Sequence, residues 1–300
     1  MDREEEERFR VVVTGGSRGI GRACVESFAR RGHAVLFTYR SSKEEADQLT
    51  ASFERVQACH LDQGNFGSVQ RFVDRVESWL AGQPLSFLIN NAGLGGKTAE
   101  HYVGATGYDT STSLGQARLR AEQDEALMRV NALGPLWVTQ GLLPMLTAVG
   151  VSNAGSTSTT SNSCTGGARS VVLFVASVGG GSQSVYPGTR IADPMSKAAL
   201  AHASKQLAAE HSRSPVDFLC ISPGATVTDM FRASTLDGLG AEGTQRLLKA
   251  LPKGRMLQPD DVAEAVWWLC TCPAARIFHG AVLDASQGLA VRPGAITEFS

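Results

Sequence analysis

The strongest constraint in this sequence is a short apolar run that leads directly into closely spaced glycines. Val11–Val13 is an unbroken run of valines, Thr14–Gly21 contains four glycines, and a helical pattern follows over Arg22–Arg31. Consecutive β-branched residues are typical of a strand that is buried on both faces. Glycines let the backbone turn tightly and approach a phosphate, and the free N–H groups at a helix start favour an anion. A strand, a glycine-rich turn and a helix in this order predict a dinucleotide-binding site, with a purely structural turn as the alternative.

Strand and helix patterns alternate along almost the whole chain. Six further apolar runs have the length and composition of strands: Ala34–Tyr39, Val56–Leu61, Ser86–Ile89, Ser170–Ala176, Val216–Ile221 and Gly280–Ala285. Strands that alternate with helices, with no linker between two halves, indicate a parallel sheet covered on both faces. The sequence therefore predicts an α/β fold, a doubly wound Rossmann sheet of about seven parallel strands in a single domain. We expect this domain to cover residues 10–300 after an N-terminal tail at residues 1–9.

Composition and charge exclude several classes of partner. The formal net charge of −1 gives no basic surface for a nucleic acid or an anionic membrane, and no apolar run is long enough to span a bilayer. The six cysteines are scattered, and Cys270 and Cys272 are too close together for a two-residue-spaced metal pair. We therefore expect no metal site, and an intracellular, cytoplasmic location in which thiols stay reduced.

The residues after the second predicted strand bear on the choice of cofactor. Tyr39, Arg40 and Ser41 lie where a dinucleotide fold meets the adenosine ribose, and Arg18 of the glycine-rich turn is also available. An acidic residue there binds free ribose hydroxyls, whereas a basic one accommodates a 2′-phosphate. The basic side chains favour NADP(H) over NAD(H). The alternative is that Arg40 lies on a solvated face.

Two further strand ends carry candidate cofactor contacts. Asp62 follows the third strand, where its carboxylate would either accept a hydrogen bond from the adenine amino group or cap the helix predicted over Phe66–Leu80. The fourth strand leads into Asn90–Gly93. Small residues at this strand end let the backbone and a cofactor come close together.

These motifs resemble those of the classical short-chain dehydrogenase/reductase family. Thr14–Gly21 matches its Thr-Gly-x-x-x-Gly-x-Gly loop, and Asn90–Gly93 matches its Asn-Asn-Ala-Gly strand end without change. The resemblance implies binding of NADP(H), hydride exchange with a small-molecule carbonyl substrate, and assembly as a homodimer or homotetramer. Its implied cofactor contacts in these motifs are Gly15, Ser17, Arg18, Gly19, Ile20, Gly21, Asn91, Ala92 and Gly93. Two stretches depart from the family as insertions, near residues 94–126 and at the low-complexity residues 151–170.

The resemblance also assigns a reaction centre further along the chain. The backbone carbonyl of Asn131 would hold a water of the proton relay, and the Ser177 hydroxyl would steady a carbonyl oxygen that gains charge during reduction. Lys197 would hold the ribose hydroxyls of the nicotinamide. The loop after the sixth strand would supply the remaining nicotinamide contacts, at Pro223, Gly224, Val227 and Thr228.

The family's Tyr-x-x-x-Lys pattern is broken in this chain. Lys197 is present, but Asp193, followed by Pro194, stands at the tyrosine position. The family's tyrosine donates a proton to the carbonyl oxygen as hydride arrives. A shorter carboxyl group, with an ordinary pKa of about 3.9, is expected to be ionised beside a lysine and to have no proton to donate. Asp followed by Pro is also a helix-start signal, so Asp193 is expected to cap its helix.

The consequence for activity has three alternatives. Hydride transfer is impaired or altered because the proton donor is missing. Alternatively, the protein is an active NADPH-dependent carbonyl reductase that takes its proton from Tyr186, or from a water held by Asn131 and Lys197. Tyr186 could instead line the substrate pocket. The third alternative is a non-catalytic subunit with a cofactor-sensing or structural role.

Overall fold

The sheet of the protein is entirely parallel. A computed structural model describes residues 8–147, 169–181 and 189–291. Its seven strands are hydrogen-bonded in the order β3-β2-β1-β4-β5-β6-β7. They are β1 (Arg10–Val13), β2 (Ala34–Tyr39), β3 (Val56–His60), β4 (Phe87–Asn90), β5 (Ser170–Val175), β6 (Val216–Pro223) and β7 (Val282–Ala285). The strand order reverses between β1 and β4, which opens a crevice at their carboxyl ends.

Helices cover both faces of this sheet. They are α1 (Gly19–Arg30), α2 (Lys43–Ser52), α3 (Phe66–Leu80), α4 (Gly96–Val103), α5 (Ser113–Met128), α6 (Gly134–Thr147), α7 (Ala192–Glu210), α8 (Asp229–Phe231), α9 (Asp237–Ala250) and α10 (Pro259–Thr271). A π-helical turn, Arg129–Leu133, joins α5 to α6. A second π-helical turn, Arg232–Leu236, joins α8 to α9. Short 3₁₀ turns lie at Pro252–Gly254, Pro273–Phe278 and Leu289–Val291.

The valine run of β1 shows how the core is divided between the two faces. Val11 and Val13 pack on the side of α1, α2 and α10, and Val12 packs on the side of α3, α6 and α7. All three side chains are fully buried. This arrangement explains why the strand has no polar residue on either face, as a parallel sheet between two helical layers requires.

The predicted fold class is confirmed as a single-domain, doubly wound α/β structure. The first divergent stretch, near residues 94–126, is mainly helical because it forms α4 and most of α5. The second, residues 151–170, lies outside the described residues except for its last two positions. Within the described ranges, none of the helices combines the length and apolarity needed to cross a membrane. The five cysteines of this part of the chain are free thiols.

Candidate active site

A cleft of about 680 Å³ lies at the carboxyl ends of the strands, on both sides of the β1–β4 reversal. It brings together most of the residues that the sequence singles out. Those that line it are Gly15, Ser17, Arg18, Gly19, Ile20, Tyr39, Arg40, Ser41, Asp62, Asn91, Ala92, Gly93, Ser177, Asp193, Lys197, Pro223, Gly224 and Thr228. Gly21, Asn131 and Val227 do not line it. Tyr186 lies outside the described residues.

The glycine-rich turn is shaped by contacts that exclude side chains. Gly15 and Gly19 have positive φ angles of 67° and 55°. A Cβ at Gly21 would lie 2.2 Å from the Gly15 carbonyl oxygen and 2.4 Å from Asn91 Nδ2. Asn91 Nδ2 donates hydrogen bonds to the carbonyl oxygens of Thr14 and Gly15 at 3.0 and 3.1 Å. The end of β4 therefore holds the turn after β1 in place.

The start of α1 is suited to bind an anion. Arg18 precedes the helix and its side chain makes no capping hydrogen bond, and the first turn contains no acidic residue. The first N–H groups of the helix and its dipole therefore act on whatever occupies the cleft beside Gly19. A compact glycine turn beside uncapped N–H groups fits the pyrophosphate of a dinucleotide.

Asp62 and Arg40, at the other end of the cleft, are both in contact with Tyr102 of α4. The Tyr102 hydroxyl donates to Oδ1 and Oδ2 of Asp62 at 2.9 and 3.2 Å, and the Gly64 N–H donates to Oδ1 at 3.0 Å. The Arg40 guanidinium carbon lies 4.4 Å from the centre of the Tyr102 ring. No sequence motif indicates Tyr102, because this residue lies in the divergent stretch near residues 94–126.

The alternative in which Asp62 caps α3 is wrong. The cap of α3 is Asn65, whose side chain accepts a hydrogen bond from the Ser68 N–H at 3.0 Å. Asp62 lies three residues before this cap. Its carboxylate instead accepts a hydrogen bond from the Gly64 N–H and so closes a turn.

Asn131 connects the loop after β4 to helix α7. It lies in the π-helical turn and is fully buried. Its Oδ1 accepts a hydrogen bond from the Leu94 N–H at 2.7 Å, and its Nδ2 donates to the Leu94 carbonyl oxygen at 2.8 Å and to Ser196 Oγ at 3.0 Å. The side chain thus joins the loop after β4 to α7. Asn131 itself is fully buried and does not line the cleft.

Lys197 enters the cleft from α7. Its Nζ donates to the Val175 carbonyl oxygen at 3.3 Å, at the end of β5. A Cβ at Gly93 would lie 3.2 Å from this Nζ, so the glycine allows the lysine a close approach to the backbone after β4. Burial lowers the pKa of Lys197, and the nearby Asp193 carboxyl acts in the opposite direction.

Ser177 lies just beyond β5 and lines the same cleft. Its Oγ accepts a weak hydrogen bond from the Gly179 N–H at 3.3 Å, and its carbonyl oxygen accepts from the Gly181 N–H at 2.7 Å. This short turn holds the serine at the strand end. Because the hydroxyl accepts from Gly179, its own hydrogen is left to donate to a ligand oxygen.

Asp193 does not have the capping role that the sequence predicts. Helix α7 begins at Ala192, one residue before it, and the preceding Ile191 makes no side-chain cap. Burial raises the pKa of Asp193, while Lys197 and the backbone N–H of Gly96 on α4 act to lower it. The expectation of an ordinary, fully ionised carboxylate is therefore modified: burial favours its neutral form.

The loop after β6 lines the part of the cleft where the resemblance implies the nicotinamide contacts. The Val227 N–H donates to the Leu257 carbonyl oxygen at 2.9 Å, so this backbone donor is already used. Thr228 Oγ1 accepts from the Phe231 N–H at 3.2 Å and thereby caps α8. The Thr228 hydroxyl hydrogen is left for a ligand.

Among the described residues, no group of three or more His, Cys, Asp or Glu side chains could hold a metal ion.

The sheet order and the glycine turn place this chain in the class of Rossmann-fold nucleotide-binding proteins. Within that class, it belongs to the short-chain dehydrogenase family, because residues 10–238 match the family described as "short chain dehydrogenase".

Individual relatives and solved structures cover nearly the same length. Protein FixR of Bradyrhizobium diazoefficiens is 29% identical over 283 residues, which are 93% of this chain and 85% of that protein. Galactitol 2-dehydrogenase of Rhizobium johnstonii is 27% identical over 281 residues, which are 93% of this chain and 94% of that protein. A short chain dehydrogenase of Burkholderia cenocepacia in complex with NADP is similar with a TM-score of 0.69 and 24% identity, over 93% of this chain and 96% of that one. At this identity, the last match shows a shared fold.

Proposed function

We propose that this protein is an NADP(H)-binding short-chain dehydrogenase/reductase in which carbonyl–alcohol hydride transfer is impaired or altered. The observation that carries the proposal is the presence of Asp193, in place of a phenol, on the cleft that Ser177 and Lys197 also line. A carboxyl group is several atoms shorter than a tyrosine side chain, and only its neutral form has a proton to donate.

The residues of the cleft have separate tasks in this proposal. When bound, the nicotinamide cofactor supplies or accepts the hydride. Ser177 would donate its free hydroxyl hydrogen to the substrate oxygen, and Lys197 would bind ribose hydroxyls through its N–H donors. Asn131 would keep the loop after β4 against α7. Proton delivery is the step for which the chain lacks the family's usual group.

The preference for NADP(H) rests on Arg40. This residue is exposed at the end of β2, and within the described ranges it has no salt-bridge partner. A guanidinium with free N–H donors fits a 2′-phosphate, whereas NAD(H) binding calls for an acidic residue at this strand end. The flanking residues Tyr39 and Ser41 supply no such carboxylate.

An NADPH titration and a comparison with Asp193→Tyr test the proposal. We expect wild-type protein to bind NADPH with a fluorescence change and to reduce a panel of ketones slowly. The Asp193→Tyr variant should bind NADPH similarly and reduce the ketones about 100-fold faster, since a positioned general acid contributes at least that much. Rapid reduction by the wild type that slows after the substitution would contradict the proposal. Absence of NADPH binding would favour the structural subunit.

One observation favours an active reductase as the second candidate function. Because burial raises the pKa of Asp193, its neutral form could donate the proton that the family's tyrosine donates. Tyr186 and a water held near Lys197 are the other donors in this alternative. Ketone reduction that survives Asp193→Asn but is lost in Tyr186→Phe would identify the tyrosine as the donor.

We also propose assembly as a homodimer or homotetramer in the cytoplasm. Four large apolar side chains on or next to α5 and α7 are exposed in the single chain, which supports a subunit contact there: Leu114, Leu133, Ile191 and Met195. The free thiols of the described cysteines support a reducing compartment. Light scattering of the purified protein would measure its oligomeric state.

A further inference from the structure

Tyr102 is hydrogen-bonded to the Asp62 carboxylate, at the end of the cleft where the adenosine is expected. Its hydroxyl donates to Asp62 Oδ1 at 2.9 Å and lies 3.2 Å from Oδ2, and the Gly64 N–H donates to Oδ1 at 3.0 Å. The carboxylate that the sequence offers to an adenine amino group therefore already has donors from the protein. Because the phenol contacts both carboxylate oxygens, a base that approaches Asp62 meets the Tyr102 hydroxyl there.

The face of the Tyr102 ring packs against the guanidinium group of Arg40. The Arg40 guanidinium carbon lies 4.4 Å from the ring centre, a distance at which the π electrons attract a positive charge. In the part of the chain that the structure describes, Arg40 has no carboxylate partner, so Tyr102 is the contact that orients it. Arg40 and Tyr102 both line the cleft, so the guanidinium is available to a ligand there.

The position of the ring is closely restricted. A Cβ at Gly64 would lie only 2.5 Å from the Tyr102 hydroxyl oxygen, so a glycine is needed for the phenol to reach Asp62. Burial and the Asp62 carboxylate raise the pKa of Tyr102 to about 12. The phenol therefore keeps its proton at neutral pH and remains a hydrogen-bond donor.

We propose that Tyr102 is a specificity-determining residue for the cofactor. Its hydroxyl takes the place of an adenine amino group at Asp62, and its ring presents Arg40 to a 2′-phosphate. The adenosine half of the cofactor is then recognised mainly through its phosphate and only weakly through its base. This inference rests on the proposed binding of NADP(H).

Equilibrium binding measurements with three reduced dinucleotides test both halves of the inference. The probes are NADPH, NADH, and the NADPH analogue with hypoxanthine in place of adenine, which lacks the amino group. Wild-type protein should bind NADPH and the hypoxanthine analogue with dissociation constants that agree within about twofold, because no hydrogen bond to Asp62 is lost. It should bind NADH at least about tenfold more weakly than NADPH, because the charge-assisted contacts of Arg40 are lost.

Two substitutions separate the roles of the hydroxyl and the ring. Tyr102→Phe frees Asp62 and keeps the ring, so NADPH should now bind roughly fivefold better than the hypoxanthine analogue, while its preference over NADH is retained. Tyr102→Ala also removes the surface under Arg40, so the preference for NADPH over NADH should fall several-fold. The control is Tyr108→Phe, because the Tyr108 hydroxyl also binds a carboxylate, that of Glu122, but lies outside the cleft. This control should leave all three affinities unchanged.

Two results would overturn the inference while the proposed function stands. One is wild-type protein that binds NADPH about tenfold or more better than the hypoxanthine analogue, since Asp62 would then be recognising the base. The other is a Tyr102→Ala variant, shown to be folded by circular dichroism, with an unchanged preference for NADPH over NADH. Wild-type protein that binds none of the three dinucleotides would overturn the proposed function itself, and this inference with it.

Discussion

At the scale of single residues, the proposed function depends most on Asp193. Its carboxyl lies in the first turn of α7, where burial raises its pKa and the Lys197 ammonium acts to lower it. A phenol has an ordinary pKa of about 10 and keeps its proton at neutral pH. A carboxyl group, even with a raised pKa, loses its proton at a much lower pH. If Asp193 delivers the proton, as in the second candidate function, pH controls this step.

The first prediction concerns the pH dependence of any residual ketone reduction. The Asp193 pKa is raised, so the neutral donor form is present at low pH and is lost as pH rises through that pKa. We expect the single-turnover rate of the wild type to fall as pH rises, and Asp193→Asn to remove this dependence and most of the rate. Lys197 also titrates in this site, with a lowered pKa, so NADPH affinity should be measured at each pH. Parallel profiles in the wild type and the variant would argue against Asp193 as the donor.

At the scale of secondary-structure elements, Asn131 connects three parts of the chain through its hydrogen bonds. It belongs to the π-helical turn between α5 and α6, it binds both backbone groups of Leu94 after β4, and it reaches Ser196 on α7. The wider turn of a π-helix is common at functional sites. Here it brings an amide side chain to three polar groups that have no access to water.

The second prediction is that Asn131→Ala lowers the free energy of unfolding by about 3 kcal/mol, because it leaves several buried polar groups without partners. Asn90→Ala is a matched control, since Asn90 is also buried but its side chain makes one hydrogen bond, from Nδ2 to Thr139 Oγ1 at 3.0 Å. We expect the control to cost less than half as much in urea denaturation. Equal losses would mean that Asn131 has no special structural role.

The elements also show which features could be predicted from the sequence. Strands β1 and β2 and helix α3 were predictable because their apolar patterns and turn residues act locally, and α3 has the predicted bounds Phe66–Leu80. The surroundings of Asp193 were not predictable. The Asp-Pro pair indicates only a local helix start, whereas the Gly96 N–H that acts on the carboxyl belongs to α4, far away in the sequence. Tyr102 was also missed, since neither periodicity nor a motif indicates which side chain of α4 meets Asp62.

At the scale of the whole molecule, a cofactor that crosses the β1–β4 reversal would contact both halves of the sheet. Such a ligand binds the folded state and not the unfolded chain, so it stabilises the fold by about 2.7 kcal/mol when its concentration is 100 times its dissociation constant. For a chain of this size, that free energy corresponds to an increase in melting temperature of at least about 4 °C. Thermal unfolding therefore measures cofactor preference without any assumption about activity.

The third prediction uses this linkage to test Arg40. We expect NADPH to raise the melting temperature of the wild type more than an equal concentration of NADH, because Arg40 at the end of β2 binds the 2′-phosphate. Arg40→Ala should remove most of this difference and leave the smaller effect of NADH almost unchanged. Arg246→Ala is the matched control, because Arg246 is an exposed arginine on α9 that does not line the cleft, and it should behave like the wild type. If Arg40→Ala reduces the effects of both dinucleotides equally, Arg40 lies on a solvated face and the 2′-phosphate is bound elsewhere.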